Sequence, residues 1–126
     1  MSAGPSADPA NLVAIARRWL SCFARADLDG LLALYADDAV HTSPKIRVRH
    51  PDGGGVLRGK DALRAWWADA FARLPGLRYV ERTLTSDGRR VFMEYLRQAP
   101  GDADLPVAEV LEVADGLIVA SRVYHG

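Results

Sequence analysis

The chain has 126 residues, of which 49% are hydrophobic and 25% are charged. This is the size and composition of a single folded domain, and it excludes a disordered or fibrous protein. The 16 basic and 16 acidic residues cancel, so no net charge attracts nucleic acid or an anionic membrane. The sequence also has no signal-peptide pattern and no apolar run long enough to span a membrane. We therefore expect a cytoplasmic protein with no nucleic-acid partner and no membrane partner.

The first helix is predicted from its cap and its periodicity. Asp8 is a good N-cap residue, and Pro9 is tolerated at the first helical position. Apolar residues then recur at three- and four-residue spacing over about 17 residues, which is typical of one buried helix face. Residues 1–8 are predicted to be a disordered tail, and residues 9–126 are predicted to be one domain.

The next segments predict a short helix, a strand and a loop. Asp27 is the predicted N-cap of a helix over residues 28–35. The strand over residues 39–43 ends at Pro44, because proline cannot donate a hydrogen bond to a sheet. Residues 45–59 contain three consecutive glycines and a basic front half, which predicts a loop. That basic run either contacts an anionic ligand, covers a pocket or is simply solvated.

A third helix is predicted from Asp61 to the Pro75-Gly76 pair, which stops it. After it the sequence reads as strands, and the Asp-Gly pairs at residues 87–88 and 115–116 are hairpin signals. Three helices followed by a sequential antiparallel sheet indicate an α+β fold with the helices on one face of the sheet. The four predicted strands cover residues 77–86, 90–97, 107–113 and 117–125.

No motif for a metal, nucleotide or acyl-transfer site occurs in the sequence. There is no GxGxxG sequence, no Walker A loop and no GxSxG elbow. The three histidines lack the spacing of a metal site, and Cys22 is predicted to be a buried structural thiol. We therefore predict neither a metal nor a cofactor.

Three segments carry a family resemblance. They are RWLSCFARADLDGLLALYADDAVHTSP at residues 18–44, LRGKDALRAWW at residues 57–67 and ADGLIVASRVYHG at residues 114–126. Together they resemble the nuclear transport factor 2-like superfamily, which includes ketosteroid isomerases, SnoaL-like polyketide cyclases and limonene-epoxide hydrolases. The resemblance implies a cystatin-like cone, in which a curved antiparallel sheet and three N-terminal helices enclose a deep apolar pocket. It also implies dimerisation through the outer face of the sheet.

The resemblance assigns positions to the family's catalytic groups. Ser43 stands where ketosteroid isomerases have their aspartate base, and Trp19 stands where they have an oxyanion-hole tyrosine. Glu109 matches their second oxyanion donor, a carboxylic acid held protonated by apolar surroundings. Gly126 occupies the place of the acid/base aspartate of polyketide cyclases. The usual Asp and Tyr are therefore replaced, and whether the chain is an enzyme stays open.

Glu109 also stands out from the residues alone. Strand alternation places it on one face with Val107, Leu111 and Val113. An isolated carboxylate among apolar side chains is costly, so the carboxyl is either neutral or paired. If it faces a pocket, its raised pKa suits a general acid or a hydrogen-bond donor. The alternative is an ion pair with an arginine across the sheet or at a dimer interface.

His41 and His125 are the candidate bases, because histidine titrates near neutral pH. The alternatives are a satisfied structural histidine at position 41 and a solvated terminal one at position 125. Glu109, His41 and His125 are thus the candidate catalytic residues. The candidate ligand-binding residues are Trp19, Tyr35, Ser43, Tyr95 and Ser121.

Three functions remain open at this point. The first is a cofactor-free isomerase, cyclase or hydrolase that acts on a small apolar molecule bearing a carbonyl, enol or epoxide. The second is a non-catalytic binding module for a hydrophobic metabolite, and the third is a dimeric assembly domain. We expect a homodimer, because Phe92, Leu96 and Val110 lie on the sheet face that the helices leave open to water.

Overall fold

The structure is a computed structural model that describes residues 8–125. The predictions for the tail at residues 1–7 and for Gly126 lie outside the described residues. The helices are α1 (Pro9–Arg25), α2 (Leu28–Ala33), α3 (Pro44–Arg49) and α4 (Lys60–Arg73), and a 3₁₀ turn covers Pro51–Gly53. The strands are β1 (Tyr35–Thr42), β2 (Val56–Arg58), β3 (Arg78–Ser86), β4 (Arg90–Gln98), β5 (Leu105–Ala114) and β6 (Leu117–His125). Within residues 8–125, none of the helices combines the length and the apolar character that a membrane crossing requires.

The strands form one sheet in the order β2-β1-β6-β5-β4-β3. Strands β3 to β6 are a sequential antiparallel meander, whereas β1 lies parallel to β6. Register shifts between Glu81 and Thr83 and between Glu112 and Val113 mark bulges, which bend strands and curve a sheet. The two end strands β2 and β3 do not pair with each other, so the sheet stays unclosed. The predicted α+β fold is confirmed, with one parallel pair in a sheet predicted to be antiparallel.

Helix α1 forms as the sequence predicts. The Asp8 carboxylate accepts a hydrogen bond from the Ala10 N–H at 3.0 Å, and Pro9 is the first helical residue. The helix ends at Ala26, which takes the left-handed conformation with a φ of 51°. The buried face packs on β3 and β4 and covers the inner face of the sheet. Its members are Leu12, Ile15, Ala16, Trp19, Leu20, Cys22 and Phe23.

The second helix is shorter than predicted, and Tyr35 is not part of it. Helix α2 ends at Ala33, and Tyr35 is the first residue of β1. The prediction was wrong because a partner distant in sequence holds this segment in a strand. Tyr35 pairs with Ile118 on β6, and the Ile118 N–H donates to the Leu34 carbonyl at 2.8 Å.

The predicted loop at residues 45–59 contains two regular elements and a turn. Ser43 is the N-cap of α3, since its Oγ accepts a hydrogen bond from the Lys45 N–H at 3.2 Å. In α3 only Ile46 is buried, so the segment carries no apolar periodicity for sequence reasoning to detect. Strand β2 then pairs antiparallel with β1. The sequence does not predict this strand, because the three glycines before it indicate a loop.

The outer face of the sheet is less apolar than predicted. Phe92 is 42% exposed, whereas Leu96 is half-buried and Val110 is only 8% exposed. Val110 pairs with Phe92 on β4 and with Arg122 on β6, and these larger neighbours shield it from water. Of the three residues expected to be open to water, Phe92 is therefore the one that is.

Candidate functional site

A cavity of about 550 Å³ lies between the inner face of the sheet and helices α1, α3 and α4. This volume falls in the range of sites for drug-sized ligands. Tyr79 stacks on Tyr95 with 4.4 Å between ring centroids and on Phe23 with 4.5 Å, so the wall is a packed aromatic surface. The aromatic residues that line the cavity are Trp19, Phe23, Trp66, Trp67, Tyr79 and Tyr95.

The cavity brings together most of the predicted site residues. Tyr35 and Ser121 do not line it, and they lie behind His41, to which a chain of hydrogen bonds connects them. The roles of all eight residues stay predictions, but their positions show which groups a ligand can reach. The six that line the cavity are Glu109, His41, His125, Trp19, Ser43 and Tyr95.

Glu109 is buried on the inner face of β5, with 1% of its surface exposed. Its Oε1 accepts a hydrogen bond from the Tyr95 hydroxyl at 2.9 Å, and its Oε2 has no hydrogen-bond partner among residues 8–125. Burial raises the pKa of Glu109 from 4.5 to about 8, and the Tyr95 hydrogen bond offsets part of that rise. The group is therefore a neutral carboxylic acid at pH 7.

The alternative of an ion-paired glutamate is not what the structure shows. Arg122 pairs with Glu112, on the opposite face of β5 from Glu109, and Arg97 pairs with Asp102. Within the described residues no cation lies in ion-pair contact with Glu109. The raised pKa of Glu109 therefore results from desolvation, as we predicted from its apolar neighbours on the strand.

Behind the cavity, four buried side chains form a hydrogen-bonded relay. The Trp19 indole N–H donates to the Tyr35 hydroxyl oxygen at 3.0 Å. Tyr35 Oη and Ser121 Oγ are 3.1 Å apart, and Ser121 Oγ lies 2.6 Å from His41 Nδ1. Burial raises the pKa of Tyr35 and lowers the pKa of His41 from 6.5 to about 4. At pH 7 both side chains are uncharged.

One arrangement of protons lets each group of the relay donate to the next. An indole can only donate, so Tyr35 accepts from Trp19 and uses its own proton to donate to Ser121. Ser121 then donates to Nδ1 of His41, and the ring proton sits on Nε2. The reverse arrangement leaves the buried Tyr35 proton without an acceptor in the relay, which costs about 1–3 kcal/mol. In this arrangement His41 presents an Nε2–H donor, and its role as a base stays a prediction.

Ser43 and Tyr95 line the cavity with their polar groups already engaged. Ser43 Oγ caps α3, and the Tyr95 hydroxyl donates its proton to Glu109. His125 lies at the end of β6 and is exposed, so it reaches the cavity at its mouth. Partial burial, together with the charges of Lys45 and Arg97, lowers the pKa of His125.

Sequence reasoning did not identify Tyr79 or Arg97 as cavity residues. The signal for Arg97 was present, because it follows Met93 and Tyr95 on one face of β4. Lys45 belongs to the basic run for which ligand contact was one of the options, and the structure places it at the cavity. Among residues 8–125 no group of three or more His, Cys, Asp or Glu side chains is arranged to hold a metal ion.

A family comparison fits this architecture. The family model described as the SnoaL-like domain matches residues 16–121. The chain belongs to the SnoaL-like domain family. Its membership confirms the resemblance to the nuclear transport factor 2-like superfamily. No curated protein matches the sequence of this SnoaL-like domain.

Solved structures share the fold of this SnoaL-like domain. A SnoaL-like protein of unknown function from Burkholderia thailandensis E264 is 25% identical with a TM-score of 0.81, over 93% of this chain and 96% of that chain. A protein described as a putative ketosteroid isomerase from Kribbella flavida DSM 17836 is 19% identical with a TM-score of 0.78, over 95% and 81% of the two chains. TerC, co-crystallized with polyporic acid, is 20% identical with a TM-score of 0.78, over 92% of this chain and 91% of that chain.

Proposed function

We propose that this SnoaL-like domain binds a small apolar carbonyl compound and, without a cofactor, catalyses proton transfer at the carbon next to the carbonyl. The observation that carries the proposal is the acid at Glu109. It is buried, neutral at pH 7 and turned into an aromatic cavity with one oxygen unpartnered among residues 8–125. Isomerase-like and cyclase-like reactions both begin with this proton transfer.

A neutral carboxylic acid is suited to stabilise an enolate. As the α-proton leaves, negative charge builds on the carbonyl oxygen, and a hydrogen bond from the Oε2 hydroxyl of Glu109 strengthens as it does so. A carboxylate at the same position would repel that charge. The aromatic wall around the buried Glu109 increases the effect, because electrostatic interactions are stronger in surroundings of low polarity. The Tyr95 hydroxyl holds the other oxygen of the acid in place.

His125 is the base in this proposal. It pairs with Val107 on β5, and Glu109 pairs with Val123 on β6, so His125 and Glu109 are diagonal neighbours on adjacent strands. Such neighbours are about 7–8 Å apart, which leaves room for a carbonyl group and its α-carbon between them. His125 takes the α-proton while Glu109 transfers its Oε2 proton to the oxygen, giving the enol, an imidazolium and the Glu109 carboxylate.

Two outcomes follow from that enol. Return of the proton to a different carbon isomerises the molecule, and attack of the enol carbon on a second carbonyl of the same molecule closes a ring. The pKa of His125 is lowered, and that of Glu109 is raised to about 8. The reaction needs a free base and a protonated acid, so we expect activity to fall as the pH rises past about 8 and also at acidic pH, where His125 is protonated.

Deuterium exchange at an α-carbon tests the proposal directly. The probe is 2-acetylnaphthalene in D₂O, with loss of the methyl signal followed by NMR at pH 7. We expect the wild-type protein to accelerate the exchange, and we expect Glu109→Gln and His125→Asn each to slow it by about 100-fold or more. The matched control is Glu94→Gln, which removes an exposed carboxyl on the outer face of β4 and should exchange like wild type. Saturable binding of the probe with exchange at the buffer rate would refute the catalytic proposal.

A non-catalytic binding module is the second candidate, and one observation favours it. The position that the resemblance gives to the aspartate base is Ser43, and its hydroxyl is used as the cap of α3. A protein of this kind would bind the same apolar compounds and hold their carbonyl oxygen through Glu109. Binding of 2-acetylnaphthalene without exchange, weakened in a Glu109→Ala variant, is the result that this candidate predicts.

The proposal includes a homodimer formed through the outer face of the sheet. Phe92 and Tyr124 are large, exposed and on that face, and Val110 lies between their strands. Exposed apolar side chains interspersed with the polar residues Glu94 and Arg122 make the kind of mixed patch that dimers of soluble proteins bury. The pocket opens on the opposite side, so dimerisation leaves it accessible.

A further inference from the structure

The mouth of the cavity collects positive charge from two elements that are distant in sequence. Lys45 comes from α3 and Arg97 from the end of β4, and both line the cavity. Arg49 and Arg73 line the same side, and both bind the single carboxylate of Asp69 at 3.0 and 2.7 Å. Near this mouth, cationic side chains therefore outnumber carboxylates.

Arg97 is the most constrained of these cations. Its side chain is 9% exposed, and its ion-pair partner within residues 8–125 is Asp102, at 3.7 Å, whose own side chain is 58% exposed. A long contact to a solvated carboxylate is weak compensation for a buried guanidinium, which presents five N–H donors. Arg97 also lines the cavity, so its guanidinium lies within reach of a bound ligand.

Lys45 adds a second charge that the protein does not neutralise. Among residues 8–125 its ammonium has no ion-pair partner. Partial burial and then the charge of Arg97 lower its pKa, whereas the charge of Asp102 raises it; the lowering by Arg97 is the direction expected for two cations that repel each other. A bound anion between them would remove that repulsion.

We propose that the mouth formed by Lys45 and Arg97 is a binding site for a carboxylate group of the ligand, whose apolar body extends inward toward Glu109. A planar guanidinium matches a carboxylate through two parallel hydrogen bonds, and the nearby ammonium adds a point charge. This inference rests on the proposed function only in that the same cavity holds the ligand.

The sheet sets the length of that ligand. Glu109 pairs with Met93, and Arg97 lies four residues further along β4. Four residues of extended strand span about 13 Å, so the carboxylate and the group that meets Glu109 lie at opposite ends of a molecule of about that length. A two- or three-ring aromatic or an equivalent alicyclic acid fits both this length and the cavity of about 550 Å³.

The test uses two probes that differ only in charge and that lack the reactive ketone. They are 2-naphthoate and 2-naphthamide, and their Kd values are measured by tryptophan fluorescence and calorimetry at pH 7 in low and high salt. We expect wild type to bind the naphthoate about 10-fold or more tightly than the amide, because hydrogen bonds to charged groups are the stronger ones. High salt should reduce this preference.

Three variants locate the effect. Arg97→Met and Lys45→Met remove a charge while keeping side-chain length, and each should reduce the preference for naphthoate without weakening naphthamide binding. Lys45 is exposed, so its variant remains informative if Arg97→Met unfolds in a thermal melt. The control is Arg64→Met, which breaks an exposed pair with Asp29 on the outer side of α4 and should behave like wild type.

Two results would overturn the carboxylate site. One is equal affinity of wild type for the two probes, or no naphthoate binding at millimolar concentration. The other is a naphthoate preference that persists in both the Arg97 and the Lys45 variants, since the anion would then bind elsewhere. Because neither probe has an α-proton to exchange, a protein that prefers naphthoate but fails the acetylnaphthalene exchange test keeps the carboxylate site and loses the catalytic proposal.

Discussion

Replacing Glu109 with glutamine removes a buried ionisable group while keeping its shape and its hydrogen bond. The glutamine Oε1 can still accept from the Tyr95 hydroxyl, which donates to Glu109 at 2.9 Å. The amide N–H₂ takes the place of the neutral acid O–H, and it cannot ionise. The variant therefore isolates the free energy that the ionisation of Glu109 contributes to folding.

The magnitude follows from the pKa. Burial raises the pKa of Glu109 from 4.5 to about 8, and one pKa unit corresponds to about 1.4 kcal/mol. The folded state holds this proton more tightly than the unfolded state, so stability is highest below pH 4.5 and falls until the pH passes about 8. The free energy of unfolding lost in this way is about 3 kcal/mol at pH 7 and about 5 kcal/mol above pH 8.

His41 acts in the opposite direction over part of the same range. Its pKa is lowered from 6.5 to about 4, so the unfolded state binds more protons between these values and stability rises with pH. Between pH 4.5 and 6.5 the rise in the free energy of unfolding caused by His41 cancels the fall caused by Glu109. Above pH 6.5 only the fall caused by Glu109 remains. For wild type these two groups together predict a plateau followed by a loss of about 2 kcal/mol up to pH 8.

The assay is urea unfolding followed by tryptophan fluorescence at pH 5, 6, 7 and 8, with m-values checked for constancy. The difference in free energy of unfolding between Glu109→Gln and wild type should grow in favour of the variant by about 4 kcal/mol from pH 5 to pH 8. Taking the difference cancels the contributions of other titrating groups. Asp52→Asn is the control, because this side chain is exposed and lies outside the proposed dimer face, and its difference from wild type should change by less than about 0.5 kcal/mol, as is usual for surface sites.

A difference that stays constant with pH would show that Glu109 ionises alike in the folded and unfolded states. The same conclusion would follow if the variant were clearly less stable than wild type at pH 8. Either result would contradict both the neutral acid at pH 7 and the enolate chemistry assigned to it.

Three further predictions follow from the structure. Tyr95→Phe should cost about 1 kcal/mol of stability, because one hydrogen bond is lost, and it should raise the pKa of Glu109 in an NMR titration, since that bond favours the carboxylate. Ser121→Ala should change the ¹⁵N chemical shifts of the His41 ring by freeing Nδ1, and unchanged shifts would contradict the relay. Phe92→Glu should convert the homodimer into a monomer of 13.7 kDa in sedimentation velocity, and a monomeric wild type at micromolar concentration would rule out the dimer.

The sequence alone was enough for features that depend on near neighbours. Capping by Asp8 and the apolar spacing up to Phe23 predicted α1, because both signals lie within a few residues of the structure that they cause. Strand alternation put Glu109 on the face of Val107 and Leu111, and this was enough to predict a raised pKa. Desolvation needs only apolar surroundings, and on a strand the residues two positions away supply a large part of them.

Tertiary structure decided the features that depend on partners distant in the chain. Tyr35 is a strand residue because β6 pairs with it. The residues next to it in sequence indicate a helix and contain no signal for this pairing. The relay to His41 passes through Ser121, which lies 80 residues away, so the hydrogen bond to the imidazole is a contact that sequence spacing cannot reveal. The cationic mouth also depends on residues distant in sequence. Arg97 and Lys45 meet at one opening only because the sheet is curved and α3 packs beside its end. The spacing of apolar residues can be read from the sequence, whereas strand pairing and cavity formation depend on how the whole chain packs.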